Sequence, residues 1–149
     1  MRAAPGGEAV GLIELRRPGE DARTTAGQVL RVILREPIIV ASELWRYVRY
    51  QRARSRMRMQ RPPDALWIGE LDVHPDFRNC GIGGAMLRQA EERARRESFP
   101  RLALTTTTIN PAQHLYSRHG FRIVDQRLDA AYERLTGIPG RVLMVAELT

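Results

Sequence analysis

The sequence predicts one α/β domain, and two observations carry that prediction. The chain has 149 residues, of which 43% are hydrophobic and 28% are charged, as in ordinary folded domains of this length. Short apolar runs of strand length alternate with segments whose apolar residues recur at helical spacing. No internal repeat or linker-like stretch divides the chain. We therefore expect residues 1–149 to form a single domain.

The first sixty residues predict one strand and a long helical segment. Residues 9–15 form a short apolar run that turn-forming residues close. Apolar residues then recur at helical spacing over residues 25–51, where Pro37 is expected to break or kink the helix. An arginine-rich stretch follows at residues 52–61 and has no aromatic residue among its arginines. We interpret this stretch as the solvated end of a helix that runs into a loop, and a nucleic-acid or membrane patch is the alternative.

Four further strands are predicted in the rest of the chain. Each is a short apolar run bounded by turn-forming or polar residues. The four runs lie at residues 65–73, 102–106, 121–125 and 141–148. Residues 130–140, between the last two, end in a cluster of turn formers and are predicted to be a loop.

Two helices are predicted between these strands. The first covers residues 83–97, and its inner face carries Met86, Leu87, Ala90 and Ala94. The second covers residues 111–118, because Asn110 is a good N-cap, Pro111 suits the first helical position and Gly120 ends the segment.

The charge balance favours an anionic partner. The chain has 24 basic against 17 acidic side chains, a net charge of +7, and every basic residue is an arginine. Arginine stays protonated and binds phosphate in a planar fork, although arginine enrichment also follows from genomic base composition. The absence of lysine excludes mechanisms that need a Schiff-base lysine or a P-loop lysine.

Several other classes are excluded by residue type. The lone Cys80 excludes an intrachain disulfide framework, and with only three scattered histidines we expect no metal site. No apolar run approaches the roughly 18 residues of a membrane span. Glu8 and Glu14 interrupt the apolar stretch near the first residue, unlike a secretory signal. We therefore expect a cytoplasmic protein with no membrane partner.

A glycine-rich turn joins the strand at 65–73 to the helix that follows it. Its pattern is Arg78-x-x-Gly81-x-Gly83-Gly84. Glycines let a ligand approach the backbone closely, and the N–H groups and dipole of a helix start bind anions. With the fork of Arg78 added, these groups suit a pyrophosphate. The dinucleotide fingerprint does not fit, because its third glycine is missing, and a turn without a ligand is the remaining alternative.

A second signature lies downstream at residues 110–121, NPAQHLYSRHGF. Together with residues 71–78, LDVHPDFR, and the glycine turn, it resembles the acetyl-CoA core of the GNAT superfamily of N-acyltransferases in order and spacing. The resemblance covers about residues 65–148 well and the first sixty residues poorly. It implies a mixed, mostly antiparallel sheet with helices on both faces.

The resemblance implies acetyl-CoA as the acyl donor and assigns residues to it. In the family, the strand at 65–73 diverges from the strand at 102–106. The pantetheine arm enters this gap and bonds backbone groups at the positions of Leu71 and Val73. Asn110 matches a position that contacts pantetheine or orders water beside it. The resemblance places the pyrophosphate cradle at Arg78, Asn79, Cys80, Gly81, Ile82, Gly83 and Gly84.

The resemblance also implies two catalytic residues. Tyr116 matches the tyrosine that serves as general acid toward the departing thiolate, and core packing is the alternative role. Because a phenol near pKa 10 is a weaker acid than a thiol near 8.5, full transfer is uphill by about 2 kcal/mol in water, and Tyr116 is expected to donate a hydrogen bond. The acceptor amine must lose a proton before it attacks. Glu70 is the first candidate for that base, ahead of Asp72 and His74, and a solvated carboxylate is its alternative.

The chain departs from the family's pattern in two places. The family often has arginine or glycine where this chain has Asn79, and a polar or basic residue where it has Cys80. These departures are expected to weaken the cradle without abolishing it. Cys80 lacks a base partner, so we interpret it as part of the cradle and not as a nucleophile. The usual N-terminal strand and helices are lacking, and an arginine-rich helical insertion occupies residues 25–61. Either the start is truncated, or the insertion builds the acceptor pocket, or a partner subunit completes it; we expect a homodimer.

The expected activity is transfer of an acetyl group from acetyl-CoA to an amine, by direct attack. The acceptor is a small molecule or a protein amine, and Tyr132 and Glu133 either border its pocket or pack within their hairpin. Two alternatives remain open. One is a module that binds acetyl-CoA but catalyses weakly, and the other, less favoured, is a nucleic-acid-binding protein that uses residues 52–61.

Overall fold

The computed structural model describes residues 10–20 and 37–148, and a five-stranded sheet organises them. The strand order is β1-β2-β3-β5-β4. The strands are β1 (Gly11–Arg16), β2 (Ala65–Val73), β3 (Arg101–Thr107), β4 (Arg122–Leu128) and β5 (Gly140–Glu147). The β2–β3 pair is parallel and the other three pairs are antiparallel. The mixed, mostly antiparallel sheet is therefore confirmed.

Four α-helices accompany the sheet in the described part of the chain. They are α1 (Pro37–Arg56), α2 (Ile82–Arg96), α3 (Gln113–Arg118) and α4 (Ala130–Thr136). The predicted inner face of α2 is confirmed, since Met86, Leu87, Ala90 and Ala94 are all buried. Among the described residues, no helix is long and apolar enough to cross a membrane.

One face of the sheet carries the main hydrophobic core. Alternate residues of β2, β3 and β5, such as Leu66, Leu102 and Val142, pack there against Leu87 of α2 and Tyr116 of α3. Leu66, Leu87 and Leu102 are completely buried, and each such side chain contributes roughly 1.5–3 kcal/mol through burial. We call this side of the sheet the packed face.

The opposite face of the sheet is covered less completely. Ala65, Trp67 and Ala103 form a smaller apolar cluster there with two residues of β5. The end of α1 lies over this side, and its Ala53 packs against Tyr132 of α4. Helices therefore lie on both faces, as expected. We call this second side the cavity face, because a cavity described below opens on it.

The parallel β2–β3 pair is short. Its register contains three residue pairs, the last of which is Trp67 with Ala103, although β2 has nine residues and β3 has seven. The pairing of β1 with β2 shifts register around Gly69, which is the extra residue of a β-bulge. A bulge bends its strand and increases the local twist, so it accounts for the separation of β2 from β3. The predicted divergence of these two strands is confirmed.

One predicted loop is wrong. Residues 130–136 of the expected loop at 130–140 form α4. Its N-cap is Asp129, whose side chain accepts a hydrogen bond from the Tyr132 N–H at 2.6 Å, and Gly137 ends it with a φ of +73°. An aspartate N-cap and a left-handed glycine are strong boundary signals. The turn formers near Gly137 concealed this helix of about two turns.

The other boundaries differ by small amounts. Residues 25–36 of the predicted helical segment lie outside the described residues, whereas α1 runs on to Arg56, into the arginine-rich stretch. Helix α3 begins at Gln113, two residues later than expected. The Asn110 carboxamide oxygen accepts from the Ala112 N–H at 2.9 Å, so it caps the turn that precedes the helix.

The expected homodimer stays a prediction.

Candidate active site

The glycine turn presents backbone donors at the start of α2. Asn79 and Gly81 have φ values of +61° and +78°, in the left-handed region that glycine and asparagine tolerate. No side chain caps the helix, and the first helical hydrogen bond runs from the Ala85 N–H to the Gly81 carbonyl. The N–H groups of Ile82, Gly83 and Gly84 therefore have no acceptor within the helix. Donors arranged in this way suit an anion.

Two side chains of the turn lie on its outer surface. Arg78 is exposed, and its Nε donates to the Val73 carbonyl at 3.2 Å. Cys80 is an exposed free thiol whose Sγ lies 3.5 Å from the Arg78 carbonyl. The Arg78 guanidinium thus connects the turn to the end of β2.

The edge of β2 that faces the gap carries, at the predicted positions, backbone groups that pair with no strand, and the Val73 carbonyl there accepts from Arg78 Nε. The His74 N–H donates to the carbonyl of Val10, which precedes β1, at 2.9 Å. Backbone groups of successive residues point to opposite sides of a strand, so every second residue before His74 faces away from β1. Leu71 and Val73 therefore direct their N–H and C=O groups toward the gap. An amide-containing arm finds a strand-like partner along this edge.

Gly83 has a packing role that the sequence analysis missed. A Cβ at this position would lie 2.9 Å from Leu115 Cδ2 and 3.9 Å from Val73 Cγ2. The start of α2 therefore lies directly against Leu115, just before α3's tyrosine, and against the end of β2. A glycine here permits close packing in addition to any approach of a ligand.

Tyr116 lies on the packed face. It is 6% exposed, and its ring centroid is 6.0 Å from that of Phe121 at an interplanar angle of 58°. Burial raises the pKa of its phenol above the usual value. The hydroxyl makes no hydrogen bond to another residue within the described ranges, so it is available to a ligand. Core packing and a role in chemistry are both compatible with this position.

Glu70 lies on the cavity face. It is exposed and stands directly opposite Glu14 of β1 in the register. Glu14 is bound by both Arg16 Nε and Arg16 Nη2, at 2.9 and 2.6 Å, and the Arg16 guanidinium lowers the pKa of that carboxyl. The side chain of Glu70 has no such guanidinium among the described residues, so it is accessible to solvent and to an acceptor. Its role as base stays a prediction.

The remaining candidates have partners inside the protein or lie in solvent. The Asn110 amide nitrogen donates to Thr106 Oγ1 at 2.6 Å, so both ends of its carboxamide hold the turn between β3 and α3. His74 is exposed and packs edge-on against Phe77. Asp72 is exposed. Cofactor contact by Asn110 and proton transfer by Asp72 or His74 stay predictions.

A cavity of about 820 Å³ opens on the cavity face, where β2 and β3 separate. From the sheet it is lined by Arg16, Trp67, Gly69, Thr105 and Arg141. From α1 and the segment after it the lining residues are Gln51, Arg54, Ser55, Met57, Arg58, Met59 and Arg61. This cavity was not predicted from the sequence. Its one sequence signal was Gly69, because a glycine within a strand indicates a bulge or a close approach.

A donor-rich helix start beside a separated strand pair suits a ligand that combines an anionic group with an amide arm. A sequence model of the acetyltransferase (GNAT) family matches residues 3–121. The chain therefore belongs to the GNAT family, which confirms the resemblance.

Particular relatives share part of the chain. Streptothricin acetyltransferase from Streptomyces lavendulae is 37% identical over 76 residues, which are 50% of this chain and 39% of that protein. A nourseothricin acetyltransferase structure is 27% identical, with a TM-score of 0.50 over 58% of this chain and 51% of that one. IAA acetyltransferase from Bacillus cereus is 23% identical, with a TM-score of 0.51 over 60% and 66% of the two chains. The chain thus spans less than two thirds of each of these relatives.

Proposed function

We propose that this protein transfers an acetyl group from acetyl-CoA to an amine. The observation that carries the proposal is the opening between β2 and β3 next to the glycine turn, since one ligand with a diphosphate and an amide arm matches both features. Family membership supports the donor. A structural neighbour from Bacillus anthracis, of the streptothricin acetyltransferase type, was solved in complex with acetyl coenzyme A.

The chain offers separate groups to each part of the donor. The N–H groups of Ile82, Gly83 and Gly84, with Arg78, suit the diphosphate. The gap-facing backbone of Leu71 and Val73 suits the amides of the pantetheine arm. A backbone N–H near Val73 is the donor we propose for the thioester carbonyl oxygen, where negative charge develops during attack.

The reaction joins the acceptor nitrogen to the thioester carbon. The neutral amine attacks the carbonyl carbon, a C–N bond forms, the C–S bond breaks and the thiolate leaves. Glu70, on the cavity face, takes the proton that the amine must lose. Tyr116, on the packed face, donates a hydrogen bond to the departing sulfur. The two residues therefore serve opposite sides of the opening.

The raised pKa of Tyr116 defines its role further. Burial makes the phenol a weaker acid than free tyrosine, so complete proton transfer to the thiolate becomes less favourable. A neutral phenol still stabilises the developing thiolate as a hydrogen-bond donor. We therefore assign Tyr116 hydrogen bonding to sulfur, with the final proton supplied by solvent.

Two measurements test the proposed function. Calorimetric titration with acetyl-CoA is expected to show one site. A thiol-release assay against a panel of amines, including the streptothricin for which two relatives are named, is expected to show turnover with an acetylated product of matching mass. A folded protein that gives no heat with acetyl-CoA contradicts the proposal. Heat without turnover of any amine favours the binding module with weak catalysis.

A matched pair of arginine variants locates the donor site. Arg78→Ala is expected to raise the Kd for acetyl-CoA about tenfold, since a charge-assisted contact to a phosphate is lost. Arg118→Ala, which removes an exposed arginine of α3, serves as the control and is expected to leave the Kd unchanged. Equal effects of the two substitutions contradict the location of the cradle.

A further inference from the structure

The cavity on the cavity face is strongly basic. Five of its lining residues are arginines and none is an aspartate or glutamate. These arginines come from three separate segments: β1, the end of α1 with the residues that follow it, and β5. The cavity also touches Gly69 and Thr105, which follow the last β2–β3 pair on each strand. The basic cavity therefore lies beside the opening at which the proposed chemistry takes place.

The five arginines differ in how their charge is compensated. Arg16 is neutralised by the bidentate contact with Glu14, and Arg61 lies 4.4 Å from the centre of the Trp67 ring. Within the described residues, no carboxylate pairs with Arg54, Arg58 or Arg141. The uncompensated charge of the cavity is thus positive and is contributed by α1, by the segment after it and by β5.

Arg141 carries a specific unmet hydrogen bond. Its Nη2 donates to Thr105 Oγ1 at 3.0 Å, but its Nε is buried and has no hydrogen-bond partner. Buried polar groups in native proteins almost always have a partner, and leaving a charged donor unpaired is costly. An oxyanion in the cavity would satisfy this N–H and the guanidinium charge together.

We infer that the acetyl acceptor is a small amine that also carries an oxyanion, either a carboxylate or a phosphate. The inference rests on the proposed function. The oxyanion binds Arg141, with Arg54 or Arg58 as a second cation, in the fork geometry that arginine offers to such groups. The amine then points toward Gly69 and Thr105 at the opening. Gly69 directly precedes Glu70, the proposed base, in the chain. A polycationic acceptor is disfavoured by the same charges.

The size and position of the cavity favour a small molecule over a nucleic acid. A volume of about 820 Å³ lies within the range of small-molecule pockets, about 300–1,000 Å³. Arg54, Arg58 and Arg61 belong to the arginine-rich stretch, and the structure directs them around this cavity together with residues of the sheet. A concave position between helix and sheet suits an anionic metabolite better than a polymer backbone.

Matched pairs of amines test the inference. The thiol-release assay compares β-alanine with β-alaninamide and O-phosphoethanolamine with ethanolamine, and putrescine is the dication. Within each pair the amine is kept and the oxyanion is removed. At least one acid is expected to have a kcat/KM ten or more times that of its neutral partner. Preference for β-alanine or for phosphoethanolamine identifies the oxyanion as a carboxylate or a phosphate.

Matched arginine variants assign the selectivity to the cavity. Arg141→Gln and, separately, Arg54→Gln are expected to raise the KM of the preferred acid about tenfold or more, with little change in the Kd for acetyl-CoA. Arg52→Gln removes an exposed arginine of the same helix that does not line the cavity, and it is the control. The Arg54 side chain is exposed, so the Arg54→Gln variant is expected to fold. It therefore tests the cavity even if the Arg141→Gln variant does not fold.

The outcomes separate this inference from the proposed function. Absence of acetyl-CoA binding overturns the proposed function. Binding of acetyl-CoA with equal or better use of the neutral amines or putrescine overturns the inference alone. If no amine in the panel reacts, glutarate and inorganic phosphate are titrated into the CoA complex by calorimetry. Heat of binding of either anion to the parent protein that is lost in the Arg141→Gln variant supports the inference. Absence of binding heat for both anions, or heat that the variant retains, overturns it.

Discussion

The two faces of the sheet use the same strands for different purposes. On the packed face, β2, β3 and β5 contribute a layer of apolar side chains that packs against α2 and α3. On the cavity face, the apolar cluster ends at Trp67 and Ala103, and arginines line an open space beyond it. The change occurs where the β2–β3 pairing stops.

The main core that stabilises the fold lies on one face, and the space that could hold an acceptor lies on the other. Among the described residues, the core of the packed face is already filled by side chains and has no cavity for an acceptor. A face with like charges around a cavity is costly in the isolated protein and is compensated when an anion binds. On the proposed function, the acceptor binds on the side of the sheet opposite the main core, and three substitution pairs test that division.

The largest expected effect concerns stability on the packed face. Leu102→Ala removes a completely buried side chain and is expected to lower the free energy of unfolding by about 3 kcal/mol. Thr105→Val, three residues along the same strand and on the cavity face, removes one hydrogen bond and is expected to cost less than about 1.5 kcal/mol. Urea unfolding of both variants measures the difference. Similar losses would show that both faces are packed alike.

The next effect concerns catalysis and compares two buried tyrosines. Tyr116 and Tyr132 are 6% and 5% exposed, and they lie on the packed and cavity faces. Tyr116→Phe is expected to lower kcat roughly 100-fold with little change in the Kd for acetyl-CoA. Tyr132→Phe is expected to leave kcat unchanged, because Tyr132 packs against α1. Steady-state kinetics decides, and an unchanged kcat in Tyr116→Phe removes that residue from the mechanism.

The smallest expected effect is on thermal stability and concerns the Arg56–Asp129 ion pair between α1 and α4. Arg56 Nε lies 2.6 Å from Asp129 Oδ2, and the Arg56 guanidinium, followed by the Tyr132 N–H, lowers the pKa of Asp129 to about 2. A carboxyl whose pKa is lowered by folding stabilises the protein above its unfolded pKa of 3.8, and that contribution is lost as the pH falls from about 4 to 2.

Arg56→Gln is accordingly expected to lower Tm at pH 7 by a small amount, on the order of 2 °C. The difference from the parent protein is expected to shrink between pH 4 and pH 2, measured by thermal unfolding. Arg52→Gln is the control, and no loss is expected at either pH. A difference that does not depend on pH would assign Arg56 a role other than the ion pair with Asp129.

The sequence predicted β2 and the inner face of α2 well but did not predict α4. The strand at 65–73 has the predicted bounds, because an apolar run without a breaker determines a buried strand through burial alone. The inner face of α2 followed from helical spacing for the same reason. Helix α4 was missed, since it is only seven residues long and its cap signal competed with the turn formers that end it.

Local residue chemistry by itself determined the packed face, the glycine turn and the family, because apolar periodicity and a turn motif act over a few neighbouring residues. Only the tertiary structure decided the cavity. Arg16, Arg54 and Arg141 are far apart in the chain, and a bulge at Gly69 and the path of α1 bring them around one space. Charge that is spread along a sequence becomes a binding site only when long-range packing gathers it.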